Sequence, residues 1–235
     1  MNLILLFPED FIDSTRVQLT GRRAEHILRV HRAKVGDMLA VGISGGMIGK
    51  GTLLSIEKGS VGMETSLTQK PPAPLPVSLV LALPRPKVLR RVIQTATSMG
   101  VKRIYLINAY RVEKSYWRSP FLDGTSIREQ LILGLEQACD TIMPEILLRP
   151  LFKPFVEDEL PGIMIGTVAL VAHPAAEREC PRNVSENITL AIGPEGGFIQ
   201  YEIDRLADCG FQAVSMGVRI LRVEAVMPSL LSRLA

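Results

Sequence analysis

Apolar residues are spaced along this chain in two regimes, and a proline-rich stretch separates them. Residues 3–7, 17–19, 38–41, 47–54 and 61–67 are short apolar or alternating runs, with Gly42, Gly45, Gly46, Gly49 and Gly51 in or between them. That pattern predicts short strands joined by tight turns. Residues 22–30 have helical spacing, so this part predicts a small β-barrel with one helix, a closure that leaves few sheet edges exposed. Residues 71–76 then hold four prolines. Proline has no N–H and a fixed φ, so the stretch cannot continue a helix or a central strand and favours extended polyproline II geometry. The expected organisation is a barrel over 1–70, a linker over 71–76 and a second domain over 77–235.

Beyond the linker the pattern is α/β. Residues 77–83 are continuously apolar, as a strand buried on both faces requires. Val88, Leu89, Val92, Ile93, Ala96 and Met99 then fall on one helical face, Gly100 stops the helix, and 104–107 is the next strand, completing a βαβ unit. A helix over 126–138, an acidic stretch at 157–159 and strands over 168–172, 189–192 and 213–215 extend this to a sheet of five or six strands. Residues 188–192 run directly into Gly193-Pro194-Glu195-Gly196-Gly197-Phe198, after which Ile203, Leu206 and Ala207 predict a helix. A strand, a glycine turn and a helix build the ligand crevice at the carboxyl end of a parallel sheet. Glycine belongs there because the backbone must approach a ligand closely or take positive φ. About 20 residues later Ser215-Met216-Gly217 repeats the arrangement, so the segment points to a bound small molecule.

Composition adds exclusions. With 47% hydrophobic and 22% charged residues in 235, the chain is globular and long enough for a real core. Its apolar runs fall far short of the roughly 18 residues a membrane span needs, and residues 1–7 read as a first strand rather than a signal peptide. Cys139, Cys180 and Cys209 form no CxxC pair, which suggests reduced thiols in a cytoplasmic protein with neither zinc nor disulfides. His26, His31 and His173 are too scattered for a metal site. The net charge of +3 conceals an uneven distribution: residues 77–118 carry nine Lys/Arg against one Asp/Glu, while 119–235 carry nine against sixteen. A basic block of that kind is an electrostatic footprint for a polyanion.

The glycine loop is neither a GxxxxGK[ST] nor a GxGxxG phosphate cradle. It carries a carboxylate, Glu195, where a phosphate would be repelled. The loop suits a ligand with an adenosine edge read by backbone groups and with positive charge, and S-adenosylmethionine has both.

These residues also carry a family resemblance. The chain resembles the SPOUT class of methyltransferases and, within it, the RsmE group, which methylates N3 of uracil at uridine 1498 of 16S ribosomal RNA. The matching pieces are Leu83-Pro84-Arg85-Pro86-Lys87, Gly100-Val101-Lys102-Arg103-Ile104, Gly134-Leu135-Glu136-Gln137-Ala138, residues 192–197 and Gly217-Val218-Arg219-Ile220-Leu221-Arg222-Val223-Glu224. His26-Ile27-Leu28-Arg29 and Val35-Gly36-Asp37 fit in the first domain, so the match runs end to end. It implies an α/β fold: a C-terminal parallel sheet with helices on both faces, knotted as a trefoil, after a PUA-like RNA-binding barrel. Chain spacing does not predict a knot. It implies a homodimer acting on 16S rRNA in the 30S subunit. S-adenosylmethionine would be held by three loops, contributing Val171, Ala172 and His173, then Ile192, Gly193, Pro194, Glu195, Gly196 and Gly197, then Met216, Gly217, Ile220, Leu221 and Arg222. The chain departs from the usual family residues at Asp140, Val218 and Ala225.

Methylation at N3 requires a proton acceptor near that nitrogen and cations near the uracil oxygens. Arg222 and Arg85 are the candidates for holding the uracil or its phosphate, and Glu195 and Glu224 for the acceptor, with Asp140 as a further base. Glu195 alternatively caps the following helix, and Glu224 alternatively pairs with an arginine. His173 is expected to serve its loop through the backbone, and His26 to face RNA. Arg22, Arg23, Arg29, Arg32 and Lys34, with Arg85, Lys87, Arg90 and Arg91, are expected to track RNA phosphates. Aromatic residues make up 5%, which argues against an open stacking platform and for recognition by shape. Two other readings stay open at this stage: a different SPOUT reaction such as 2′-O-ribose methylation, and a non-catalytic RNA-binding assembly factor.

Overall fold

In a computed structural model of the chain, which describes residues 2–235, the apolar runs become the strands of two sheets in two units. The first sheet holds β1 (Ile4–Leu6), β2 (Arg16–Thr20), β3 (Met38–Ile43), β4 (Ile48–Glu57) and β5 (Ser60–Gln69) in the order β1-β3-β4-β5-β2. Only β1–β3 is parallel. Alternation sends Val17 and Leu19 of β2 inward, and Val61 and Met63 of β5, to meet Ile4, Leu6, Val41 and Leu53. Helix α1 (Gly21–His26), prolonged by a wider turn to His31, adds Ala24 and Ile27 to that core. The expected barrel is a curled, open sheet. Among the described residues its edge strands β1 and β2 share no ladder, and Phe11 and Val17 form an isolated bridge. The three-residue β1 gives way at Pro8 to a 3-10 turn.

The run at residues 3–7 is continuous because both faces of β1 are covered. Leu3, Leu5 and Phe7 point away from the sheet's core and pack on Ile132 and Leu135. Beyond the linker lie helices α2 (Pro86–Ser98) and α3 (Gly124–Ala138), and the end of α3 supplies those two side chains. The first unit therefore ends at Ala73 but also takes in Ile132–Met143, which the spacing of the chain had placed with residues 77–235. Main-chain bonds fasten the segment: the Leu3 N–H donates to the Glu136 carbonyl at 2.9 Å and the Gly45 N–H to that of Thr141 at 2.8 Å. The Glu136 side chain is fully buried, and Arg22 pairs with it at 2.9 Å.

The second unit is built on six parallel strands: β6 (Val77–Ala82), β7 (Arg103–Ile107), β8 (Glu145–Arg149), β9 (Thr167–Ala172), β10 (Asn187–Ile192) and β11 (Gln212–Val214). Their order is β11-β9-β10-β6-β7-β8. The one polar residue inside β10, Thr189, is buried with its hydroxyl 3.0 Å from that of Thr167, as a buried hydroxyl requires. Short helices α4 (Phe152–Pro154) and α5 (Leu160–Ile163) follow β8, α6 (Gln200–Asp208) follows β10, and α7 (Val223–Leu234) packs against α2. Strand β8 and helix α7 are additions to the expected elements. The β9–β10 connection is bonded to the C-terminal segment: Cys180 N–H to the Ser215 carbonyl, Asn183 N–H to that of Arg233 and Val184 N–H to that of Leu234. Among the described residues no helix is long and apolar enough to cross a membrane.

Burial pushes the Glu136 carboxyl above its ordinary value of 4.5, with the Arg22 guanidinium opposing it. A carboxyl raised on folding stabilises the fold below its unfolded value, and that contribution is lost as pH rises through the folded one. Glu136→Gln, which cannot ionise, removes the loss. Urea unfolding at a series of pH values upward from 4.5 is expected to show the wild-type midpoint falling relative to that of the variant.

Candidate functional site

The order of the parallel sheet creates the site. After β8 the chain crosses the sheet, so β10 pairs with β6 and the topology switches direction between those two strands. Ligands bind at such a switch point, outside the carboxyl ends of the strands. Register brings the ends level: Ile192 pairs with Leu81 and Ala172, Ala172 with Val214, and Ala82 with Ile107. The loops leaving these residues border a cleft of about 740 Å³, in the range of small-molecule sites.

Two carboxylates fix the loops. At the switch point Glu195 Oε1 accepts the Arg85 N–H at 2.9 Å. Arg85 precedes Pro86 at the start of α2, so Glu195 places its charge at the positive end of that helix. It caps α2 rather than the helix that follows it in sequence. The cap of α6 is Glu202, which is 2% exposed. Its Oε2 accepts the Ile199 N–H at 2.9 Å and its Oε1 the Tyr110 N–H at 2.7 Å, so one carboxylate joins the loops after β7 and β10. Arg111, next to Tyr110, donates to the Gly196 carbonyl.

Glycine is required at two points. A Cβ on Gly193 would lie 2.9 Å from the Phe198 backbone nitrogen and 3.1 Å from the Phe198 ring. Gly197 closes the turn at φ +74°, with its N–H on the Pro194 carbonyl at 2.8 Å.

Most of the expected site residues come together here. Ala172, His173, Ile192, Gly193, Pro194, Glu195, Gly196, Gly197, Met216, Gly217, Ile220, Leu221, Arg222, Arg85 and Glu224 all border the cleft. Val171 does not; it is 1% exposed within β9. The His173 N–H is committed to the Val214 carbonyl at 2.9 Å, so that backbone donor serves the sheet. Asp140 is buried, accepts the Ile142 N–H at 2.9 Å and is not among the lining residues. His26 is half-buried, edge-on to the His31 ring.

The basic candidates divide. Arg22 and Arg23 are structural: Arg22 pairs with Glu136, and Arg23 makes bonds of 2.5 and 2.7 Å to the two Asp10 oxygens and 2.8 Å to the Leu5 carbonyl. Arg29 is exposed and pairs with Glu25, one helical turn away. Arg32, Lys34, Lys87, Arg90 and Arg91 are exposed, with Arg90 over the Phe121 ring. Arg219 borders the cleft within the third expected loop, whereas sequence reasoning missed Arg111 and Phe198, which also border it, and Glu202 beneath it. Arg111 lies within the basic block, a signal available in the sequence. Glu202 follows Ile199 by three positions, and an isoleucine at the helix start hides the cap signal.

A cleft between glycine loops at the switch point of an all-parallel sheet defines the class of domain, and the RNA methyltransferase domain family matches it over residues 71–235. Over 230 residues the chain is 29% identical to Ribosomal RNA small subunit methyltransferase E of Treponema pallidum, covering 95% of this chain and 86% of that one. Its fold is that of a methyltransferase from Legionella pneumophila solved in complex with the cofactor SAM, with TM-score 0.77, 21% identity and coverage of 99% and 96%. It is also that of Ribosomal RNA small subunit methyltransferase E from Neisseria gonorrhoeae bound to S-adenosyl methionine, with TM-score 0.74, 21% identity and coverage of 99% and 95%. The chain belongs to the RsmE family of RNA methyltransferases.

Glu202→Ala leaves the N–H groups of Tyr110 and Ile199 without their acceptor. Losing acceptors for two main-chain donors is expected to cost about 2–3 kcal/mol, measured as the shift in urea unfolding free energy.

Proposed function

We propose that this protein transfers the methyl group of S-adenosylmethionine to N3 of a uracil, uridine 1498, in the 16S rRNA of the small ribosomal subunit. The observation that carries this reading is the cleft itself: two glycine loops, two carboxylates and four arginines gathered at the switch point of a domain of this family. The residues present suit the cofactor. Ile192, Val214, Phe198 and Val226 offer apolar walls to an adenine and a methylene chain, and the glycine loops offer backbone groups to a purine edge. Gly193 lets its loop fold closely on itself, since a Cβ there would meet the Phe198 backbone. When bound, S-adenosylmethionine supplies an electrophilic methyl on a sulfonium, and Glu195 favours positive charge in the cleft.

The chain's own groups then divide the work on the uracil. Glu195 is held by the Arg85 N–H, whereas Glu224 stands in the first turn of α7 at the cleft. We therefore assign Glu224 as acceptor of the N3 proton. Arg222 and the Arg85 side chain hold the negative charge that develops on the uracil oxygens. Removal of the proton and stabilisation of that charge are what a weakly acidic imide nitrogen needs to act as a nucleophile.

Each unit offers exposed cations to an RNA backbone: Arg29, Arg32 and Lys34 on the first, and Lys87, Arg90 and Arg91 on α2 of the second. Val218 is 96% and Ile220 85% exposed beside the cleft, apolar surface that supports a homodimer in which a second copy covers it. The bonds between the β9–β10 connection and the C-terminal segment support a trefoil knot. The proposed protein acts in the cytoplasm, on 30S subunits, without a metal.

Incubation with labelled S-adenosylmethionine and unmodified 30S subunits, followed by nucleoside mass spectrometry, is expected to yield 3-methyluridine. A 2′-O-methylated nucleoside, or no transfer despite cofactor binding, would overturn the reading. Arg222→Ala is expected to lower transfer about 100-fold while cofactor still binds, and an unchanged rate would remove Arg222 from the chemistry.

A further inference from the structure

Tyr110 combines a fixed backbone with a free side chain. Its N–H is held at 2.7 Å by the buried Glu202 carboxylate, and Ala109 and Val112 on either side are buried. The side chain between them is 78% exposed, more than any other aromatic residue among the large exposed ones. An exposed apolar side chain is by itself ordinary. This one is distinguished by its anchorage and by what surrounds it.

The next residue, Arg111, borders the cleft and holds the Gly196 carbonyl, so Tyr110 is one residue from the wall of the site. The same loop carries Arg111, Lys114 and Arg118, all exposed, against two acids, Glu113 and Asp123. Two hydrogen bonds tie the loop down further: Trp117 Nε1 donates to Asn108 Oδ1 at 2.9 Å, and the Asn108 N–H to the Arg149 carbonyl at 3.0 Å. An exposed aromatic face on a loop that also carries cations, its backbone already ordered, matches single-stranded nucleic acid, in which each base offers a π-face and each linkage a negative charge. A preordered loop also lowers the entropy lost on binding.

We infer that Tyr110 stacks on a nucleobase of single-stranded RNA next to the base that enters the cleft, and so helps to select the methylation site. The inference rests on the reading of the cleft as an RNA methyltransferase site, and makes Tyr110 a positioning residue. One tyrosine is not an open stacking platform, so the role agrees with an aromatic content of 5%.

The test compares Tyr110→Ala, Tyr110→Phe and Tyr110→Trp in methyl transfer to 30S subunits, with cofactor affinity measured alongside. Tyr110→Ala is expected to raise KM for the subunit roughly tenfold with cofactor affinity unchanged, and Phe and Trp to restore it. An alanine variant with wild-type KM would overturn the inference. So would equal loss in the phenylalanine variant, which would assign the effect to the hydroxyl, or a parallel fall in cofactor affinity, which would assign it to the loop's support of Gly196. A second measurement needs no methyl transfer: fluorescence of a single-stranded oligoribonucleotide containing 2-aminopurine, added to each variant. Quenching by wild type and not by Tyr110→Ala supports stacking even if no 3-methyluridine forms, in which case the proposed reaction fails and the inference stands. Equal quenching by both removes the inference whatever the product.

Discussion

The candidate site depends on one constraint, the shared register of the parallel ladders. Leu81, Ile192, Ala172 and Val214 lie level across four adjacent strands. A parallel ladder fixes that alignment through main-chain bonds alone, and side chains buried on both faces prevent slippage. Because the strand ends are level, the loops leaving them meet, and because the order switches between β6 and β10 they part enough to leave a cleft. A shift of one residue in β10 would turn its alternating side chains over and withdraw Gly193 from the mouth.

Around that frame, carboxylates act mainly as acceptors of main-chain donors. Glu195 holds Arg85, Glu202 holds Ile199 and Tyr110, Asp10 holds the Phe7 N–H at 2.7 Å, and Asp140 holds Ile142. Each replaces a missing helix or turn partner with a charge-assisted bond, which is stronger than a neutral one. Loops built this way are ordered before any ligand arrives.

The legible parts of the fold were those with strong period or punctuation. The continuous run of β6, the one-sided α2 and the glycine turn after β10 could be read because each is imposed locally. Strand β8 was missed: it is five residues long, has a charge at each end and lies at the sheet edge, half-exposed. Helix α7 was missed because Pro228 interrupts its pattern; such a residue normally breaks a helix. The loops of the site were legible and their fastenings were not. Arg22 and Arg23 read as part of a basic surface because their partners, Glu136 and Asp10, are 114 and 13 positions away. The side of β1 turned to α3 was missed for the same reason: a continuous apolar run says that two faces are covered, not by what.

The strap between β9 and β10 has a bearing on how the protein is made. Arg233 bonds to the Cys180 carbonyl and to Glu179 across 53 and 54 positions of chain, and the loop over 216–222, most of which borders the cleft, lies inside that span. Contacts distant in sequence carry a loop-closure entropy that local contacts do not. The sheet needs a long closure of its own, since β10 pairs with β6 across 111 positions, and the cleft is complete only once the last helix has docked as well. Binding competence therefore marks completion of the fold, and an incompletely folded chain presents its basic surface to RNA before it has a closed site in which to modify it.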